Sequence, residues 1–241
     1  MNLNYKRGAP FVVYEAPLVD GFRQETGHDP RQLDEWDEAW LRYRAGAVTQ
    51  FMREVRQMLD EVGSTLGKRL ELSATTHPRP DECLFYGLDL ATWIAEGFVD
   101  NLTPMGRSHG GKEVDLNWYS GLTHGTSCRF CPHMSAYRTA PPNVAALHRQ
   151  ALEFYEGGAD GLCFWDSHGW LDCKSSIGPA TRRLGHIEEL RTASASEPES
   201  CGPTLIPLTS LGGCDLTVRY IPSDYRRLYP DGTPHHAWLG L

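Results

Sequence analysis

The hydrophobic and polar positions of the chain alternate between two periods, and each change of period marks an element boundary. Over residues 69–75, Leu70, Leu72 and Ala74 fall on one side and Glu71 and Ser73 on the other, the two-residue repeat of a strand. After a polar loop, Asp89 stands at a helix N-cap position, Leu90, Trp93 and Ile94 follow at i, i+3 and i+4, and Gly97 closes the helix. Residues 98–104 then supply a second strand. A strand that returns through a helix to another strand implies parallel pairing and a right-handed crossover, so the predicted class is α/β.

The same pattern extends in both directions. Residues 2–6 alternate Leu3 and Tyr5 with polar neighbours and read as the tail of a strand. Residues 8–37 are long for a loop between a strand and a helix, and their aromatic content (Phe11, Tyr14, Phe22) predicts order. Residues 37–62 form the longest predicted helix, with Val48, Phe51, Met52, Val55, Met58, Leu59 and Val62 opposite Arg53, Glu54, Gln57 and Asp60, ended by Gly63. Next come a glycine-rich loop at 106–111 containing His109, a weak helix at 114–125 and a strand at 126–134. A helix opened by Pro141 and Pro142 and closed by Gly157 and Gly158, a strand at 161–166 and a helix at about 179–192 follow. The expected organisation is an α/β domain over 1–192, a linker over 193–202, and a short β-rich tail over 203–241 around Gly212 and Gly213, with no recognisable closing element after Tyr225.

Two runs, LELSATTHP and GLDLATWIAEGFVDNLTP, resemble the barrel segment of the glycosyl-hydrolase-like family-10 proteins, glycoside hydrolases built on a (β/α)8 TIM barrel. The likeness spans Asn2 to about Gly169 and is one of whole segments, without a catalytic signature. It implies a partial TIM barrel: the strands at residues 2–6, 69–75, 98–104, 126–134 and 161–166 would be strands four to eight, with one to three upstream of this chain. A five-stranded arc has two unpaired parallel edges, so self-association through those edges is expected.

Composition narrows the partners. With 241 residues and 40% apolar content the chain can bury a substantial core. Its 31 acidic against 23 basic residues, net charge −8, argue against nucleic acid as a partner. There is no apolar run of membrane-spanning length, and NLNYKRG after Met1 is no signal peptide. With the true N-terminus expected upstream, the compartment stays open. The seven cysteines lack disulfide spacing and read as mostly reduced core thiols. Cys128 and Cys131, three apart on a strand, would point to opposite faces and could not share a metal without a bend. No cofactor is expected.

In barrels of this kind the chemistry sits at the carboxyl ends of the strands. Glycosidic hydrolysis ordinarily needs two carboxyls, and the sequence offers Asp166 and Glu15 as the catalytic pair. Asp166 ends an apolar strand after Trp165, where an aromatic wall would shift its pKa and stack a sugar, or else it caps the following turn. Glu15 is a mouth carboxylate or a solvated loop residue. The candidate substrate-binding residues are Tyr5, Lys6, Arg7, His77, His133, Trp165 and His168, with His109 and Trp170 in similar positions. Asp100 is expected to begin a strand and point away from the site. Retaining barrel glycosidases commonly place glutamates after strands four and seven, where this chain has Asn4 and His133. Three functions therefore stay open: a glycoside hydrolase, a carbohydrate-binding barrel or inactive fragment without turnover, and a metal-dependent hydrolase using His133, Asp166 and His168.

Overall fold

The computed structural model describes residues 1–6, 9–106, 113–134, 144–164 and 183–194, with two short strands at 205–206 and 237–238. The chain falls into two compact units, Met1–Ser135 with Ala151–Trp165, and Ala136–Gln150 with Asp166–Leu241. The first unit holds a parallel sheet of β1 (Asn2–Asn4), β2 (Ser73–Thr76), β3 (Asn101–Pro104) and β4 (Arg129–Phe130), in that order. A parallel bridge from His133 to Cys163 continues the series.

Each strand returns through helices, as parallel pairing requires. Between β1 and β2 run α1 (Ala16–Thr26), a 3-10 turn (Pro30–Gln32) and α2 (Glu38–Leu66). α3 (Pro80–Phe85) and α4 (Leu90–Ala95) follow β2, and α5 (Leu116–Thr123) follows β3. The loop expected at 8–37 thus contains a helix of its own. So does the polar loop after β2: α3 starts on Pro80 with Asp81 and Glu82 in its first turn, but six residues are too few for a 3.6-residue period to register.

α2 begins as the sequence predicts, with Asp37 accepting from Trp40 N at 3.0 Å. It ends later than predicted, at Leu66, capped by Gly67 at φ 64°. Gly63 lies inside the helix because a Cβ there would stand 2.5 Å from the carbonyl oxygen of Lys68. This glycine lets the departing chain cross closely over the last turn.

The core lies on one side of the sheet. Leu72, Ala74, Leu102 and Phe130 meet Val48, Met52, Trp93 and Tyr119 from the helices, all buried. The other face is polar: Asn2 Nδ2 donates to Thr75 Oγ1 (3.4 Å), Thr103 to Thr75 (3.1 Å), and Asn101 Nδ2 to Ser73 Oγ (3.4 Å). Parallel strands usually read as apolar on both faces, and TIM barrels fill their interior with Val, Ile and Leu. Here hydroxyls and amides line one face of the parallel sheet.

At the amino edge, Asp100 gathers the strand starts. Its carboxylate accepts from Leu72 N at 2.8 Å, Arg69 at 2.8 Å and the buried Arg56 at 3.2 Å. It immediately precedes β3, at the amino end of the strand. α6 (Val144–Glu156) begins in the second unit and ends in the first. There Gly157 and Gly158 close it against α5; a Cβ on either would stand 2.6 Å from Leu116 or Ser120.

In the second unit, α7 (Ile187–Ser194) covers the later part of the helix expected at 179–192. β5 (Leu205–Ile206) pairs antiparallel with β6 (Ala237–Trp238). The tail therefore has a strand after Tyr225. Gly212 and Gly213 lie outside the described residues.

Two alanine substitutions separate the roles of the α2 glycines. Gly46 is exposed mid-helix, with nothing within 4 Å of where an added Cβ would sit, so Gly46→Ala should stabilise by roughly 0.5–1 kcal/mol. Gly63→Ala should destabilise by about 1–3 kcal/mol through its backbone clash. Urea midpoints moving in opposite directions are the expected result.

Candidate functional site

The strand register carries the predicted residues into one row. Counting on from Asn4↔Thr75, Thr76↔Pro104 and Leu102↔Phe130 aligns Lys6, His77, Met105 and His133, and His133 bridges Cys163. The ladder reaches this level, with Tyr5 N donating to Thr75 O (3.0 Å), Met105 N to Thr76 O (3.0 Å) and His133 N to Pro104 O (2.9 Å). Three residues selected from sequence, Lys6, His77 and His133, thus stand at the carboxyl edge of three different strands.

His77 is fixed from two directions. Its ring stacks on Tyr86 with centroids 3.7 Å apart, and its Nδ1 lies 3.7 Å from Glu82 Oε2. Its backbone carbonyl accepts from the Tyr119 hydroxyl and from Cys83 Sγ (3.4 Å). Thr76 Oγ1 lies 2.7 Å from the same hydroxyl. Burial raises the Tyr119 hydroxyl well above the usual phenol value. Burial likewise pushes the Cys83 thiol up to about 12, against the opposing pull of the Tyr119 hydrogen bond and the Lys6 charge. Cys83 is therefore a neutral structural thiol.

Other predicted residues are placed differently. Tyr5 is 5% exposed, packed between Trp93 and Phe11, with its hydroxyl donating to Met52 Sδ at 3.1 Å. Its ring is committed to the core rather than offered to a ligand. Glu15 is exposed as the N-cap residue of α1, and its carboxylate accepts from Val13 N at 2.8 Å. Arg7, Trp165, Asp166 and His168 lie outside the described residues, as do His109 and Trp170.

Sequence reasoning missed two parts of this edge. One is α3, which supplies Glu82, Cys83 and Tyr86 around His77; Pro80 followed by two acidic residues was its only signal. The other is Arg44, 3% exposed, which donates to Phe85 O at 2.9 Å and Val12 O at 3.3 Å and lies over the Trp40 and Phe85 rings. Burial lowers its pKa. It ties the segment before Glu15 to the end of α3, and nothing in its sequence neighbourhood announces this.

Among the described residues, no group of three His, Cys, Asp or Glu side chains is placed to hold a metal. Cys128 and Cys131 are both free, with burial raising their thiols to about 12 and about 11. No helix of the described residues is long and apolar enough to cross a membrane. No family model matches the chain, and no curated protein matches its sequence.

Tyr119→Phe removes the donor to His77 O and strands the Thr76 hydroxyl, so a loss of about 1–3 kcal/mol is expected in urea denaturation. The thiols set an alkaline limit. A thiol whose folded pKa is raised stabilises the fold below its ordinary value near 9 and loses that contribution as pH climbs through about 12. The urea midpoint should fall steadily above pH 9, and iodoacetamide at pH 8 should label Cys83 only after unfolding, as read by peptide mass mapping.

Proposed function

We propose that the protein binds a carbohydrate at the carboxyl edge of its parallel sheet and hydrolyses a glycosidic bond there, its strands corresponding to strands four to eight of a (β/α)8 TIM barrel. The observation that supports this reading best is the row of Lys6, His77 and His133 above a sheet face of hydroxyls and amides. Such a surface suits a ligand that is itself a ring of hydroxyls, each able to donate and accept. His77, held by Tyr86 and Glu82, keeps its imidazole in a fixed position although it is buried, as is His133, so the ordering cost of binding is low once a ligand reaches them.

In this proposal Asp166, next to Trp165 in sequence, protonates the leaving oxygen. Glu15, exposed at the start of α1, serves as base toward the attacking water. Arg44 acts as a positioning residue for the Glu15 segment through its bond to Val12 O. Lys6, Arg7, His77, His133, Trp165 and His168 contact the sugar.

A second reading, carbohydrate binding without turnover, is favoured by Asn4 and His133 at the positions where retaining barrel enzymes commonly carry glutamates. Titration calorimetry with a panel of oligosaccharides, run beside a reducing-sugar assay, separates the two. The enzyme reading expects product release that Asp166→Asn abolishes, with affinity kept within about tenfold, or roughly 1.4 kcal/mol. Affinity without product in the wild type selects the binding protein. In either case His77→Ala and His133→Ala should each weaken affinity about tenfold or more. No binding to any oligosaccharide, or binding indifferent to both histidines, overturns the assignment of this edge.

A further inference from the structure

We propose that the ligand of the strand-end row is a chain of several sugars, and that Tyr14 and Trp36 hold the units lying beyond the row. This rests on the carbohydrate reading of that row and adds a length requirement to it. Arg44 organises the platform. Its buried guanidinium lies over two rings, 5.8 Å from the Trp40 centroid and 5.7 Å from that of Phe85. Tyr14 stacks on the Trp40 ring at 5.4 Å, and Trp36 lies on the Phe85 ring at 4.4 Å. The two inner rings are thus covered by two outer ones, and the outer pair, Tyr14 and Trp36, are 38% and 48% exposed.

Solitary exposed aromatic side chains need no explanation. These two differ because each is fixed from beneath. Arg44 donates to Val12 O at 3.3 Å and to Phe85 O at 2.9 Å, which ties down the backbone on both sides of the stack. Val13 N donates to Glu15 Oε2 at 2.8 Å, and Trp36 N to Asp34 Oδ1 at 2.8 Å. Each outer ring therefore springs from a turn closed by a carboxylate. A Trp or Tyr held in this way offers a flat face at little cost in rotamer entropy.

Such a face suits a sugar. The C–H groups on one side of a pyranose carry slight positive charge and meet the negative face of an aromatic ring, while the hydroxyls around the sugar's rim stay in water. A protein partner fits less well, because two rings amount to far less than the roughly 800 Å² per partner of a stable protein interface.

Both rings border the site proposed above. Tyr14 directly precedes Glu15, the proposed base. From Trp36 a run of rings leads through Phe85 and Tyr86 to His77, in centroid steps of 4.4, 5.8 and 3.7 Å. One sugar unit held at His77 is separated from Trp36 by Phe85 and Tyr86, whereas a single chain can occupy both places.

Calorimetric titration of the full chain with cello-, xylo-, malto- and chito-oligosaccharides, from disaccharide to hexasaccharide, tests the proposal. In a series that binds, affinity should rise about tenfold or more from the shortest to the longest member. Trp36→Leu and Tyr14→Leu keep an apolar side chain over Phe85 and Trp40 but remove the flat face. Each should lose most of that rise while its urea midpoint is retained, whereas His77→Ala should weaken every length. A second readout needs no variant: in the wild type the hexasaccharide, and not the disaccharide, should slow oxidation of Trp36 by N-bromosuccinimide, followed by peptide mass mapping. Affinity that requires His77 but ignores length, a rise that either leucine variant keeps, or a Trp36 left unprotected overturns the platform and leaves the histidine row standing. No binding at any length in any series overturns the reading of the row, and the platform with it.

Discussion

Parallel register is the constraint on which the first unit depends. Asn2–Asn4, Ser73–Thr76, Asn101–Pro104 and Arg129–Phe130 run side by side in one direction, and no tight turn can join such neighbours. The chain must travel back through helices, and those helices bury Leu72, Ala74, Leu102 and Phe130 on one face. The same direction brings every strand end to one edge. Lys6, His77 and His133, far apart in sequence, become neighbours in a row for that reason alone.

The two edges of the sheet have different physics. At the amino edge Asp100 holds Leu72 N, Arg56 and Arg69 within hydrogen-bond distance, locking β2 to β3 where their register is set. Arg56 is buried and also pairs with Asp60 at 2.6 Å, so removing Asp100 would leave its charge only partly compensated. The carboxyl edge is built from longer segments that carry their own helices, α1 and α3, pinned by Arg44 through carbonyls of both. Rigidity is concentrated at one end and chemical variety at the other, the arrangement common to parallel α/β architectures.

Much of this was legible because periodicity reports burial. The apolar stripe of α2 and the alternation in β2 reflect which side chains meet the core, and Asp89 caps α4 where the sequence places a cap. Gly63 misled because sequence alone does not distinguish a helix terminator from a close backbone crossing, and the Lys68 carbonyl that decides the matter approaches through the tertiary fold. Tyr5 looked like a ligand face because it ends a strand, yet Met52 and Trp93 claim it from α2 and α4. Short α3 and the Arg44 clamp escaped notice because both are defined by contacts across the fold rather than along the chain. Lys6, His77 and His133 could be placed at one edge from sequence because the strand-end rule requires only a strand count.

The polar face of the sheet has a consequence for how this protein can change over time. Adhesion comes almost entirely from the helical side, so Asn2, Ser73, Thr75, Asn101 and Thr103 contribute modest hydrogen bonds rather than packing volume. Exchanges among small polar residues there would alter the hydrogen-bonding character of that face while leaving the hydrophobic layer untouched. The apolar packing that holds the fold and the hydrogen-bonding groups that stay free of that packing lie on opposite sides of one sheet, so a lineage carrying this scaffold could revise the second without eroding the first.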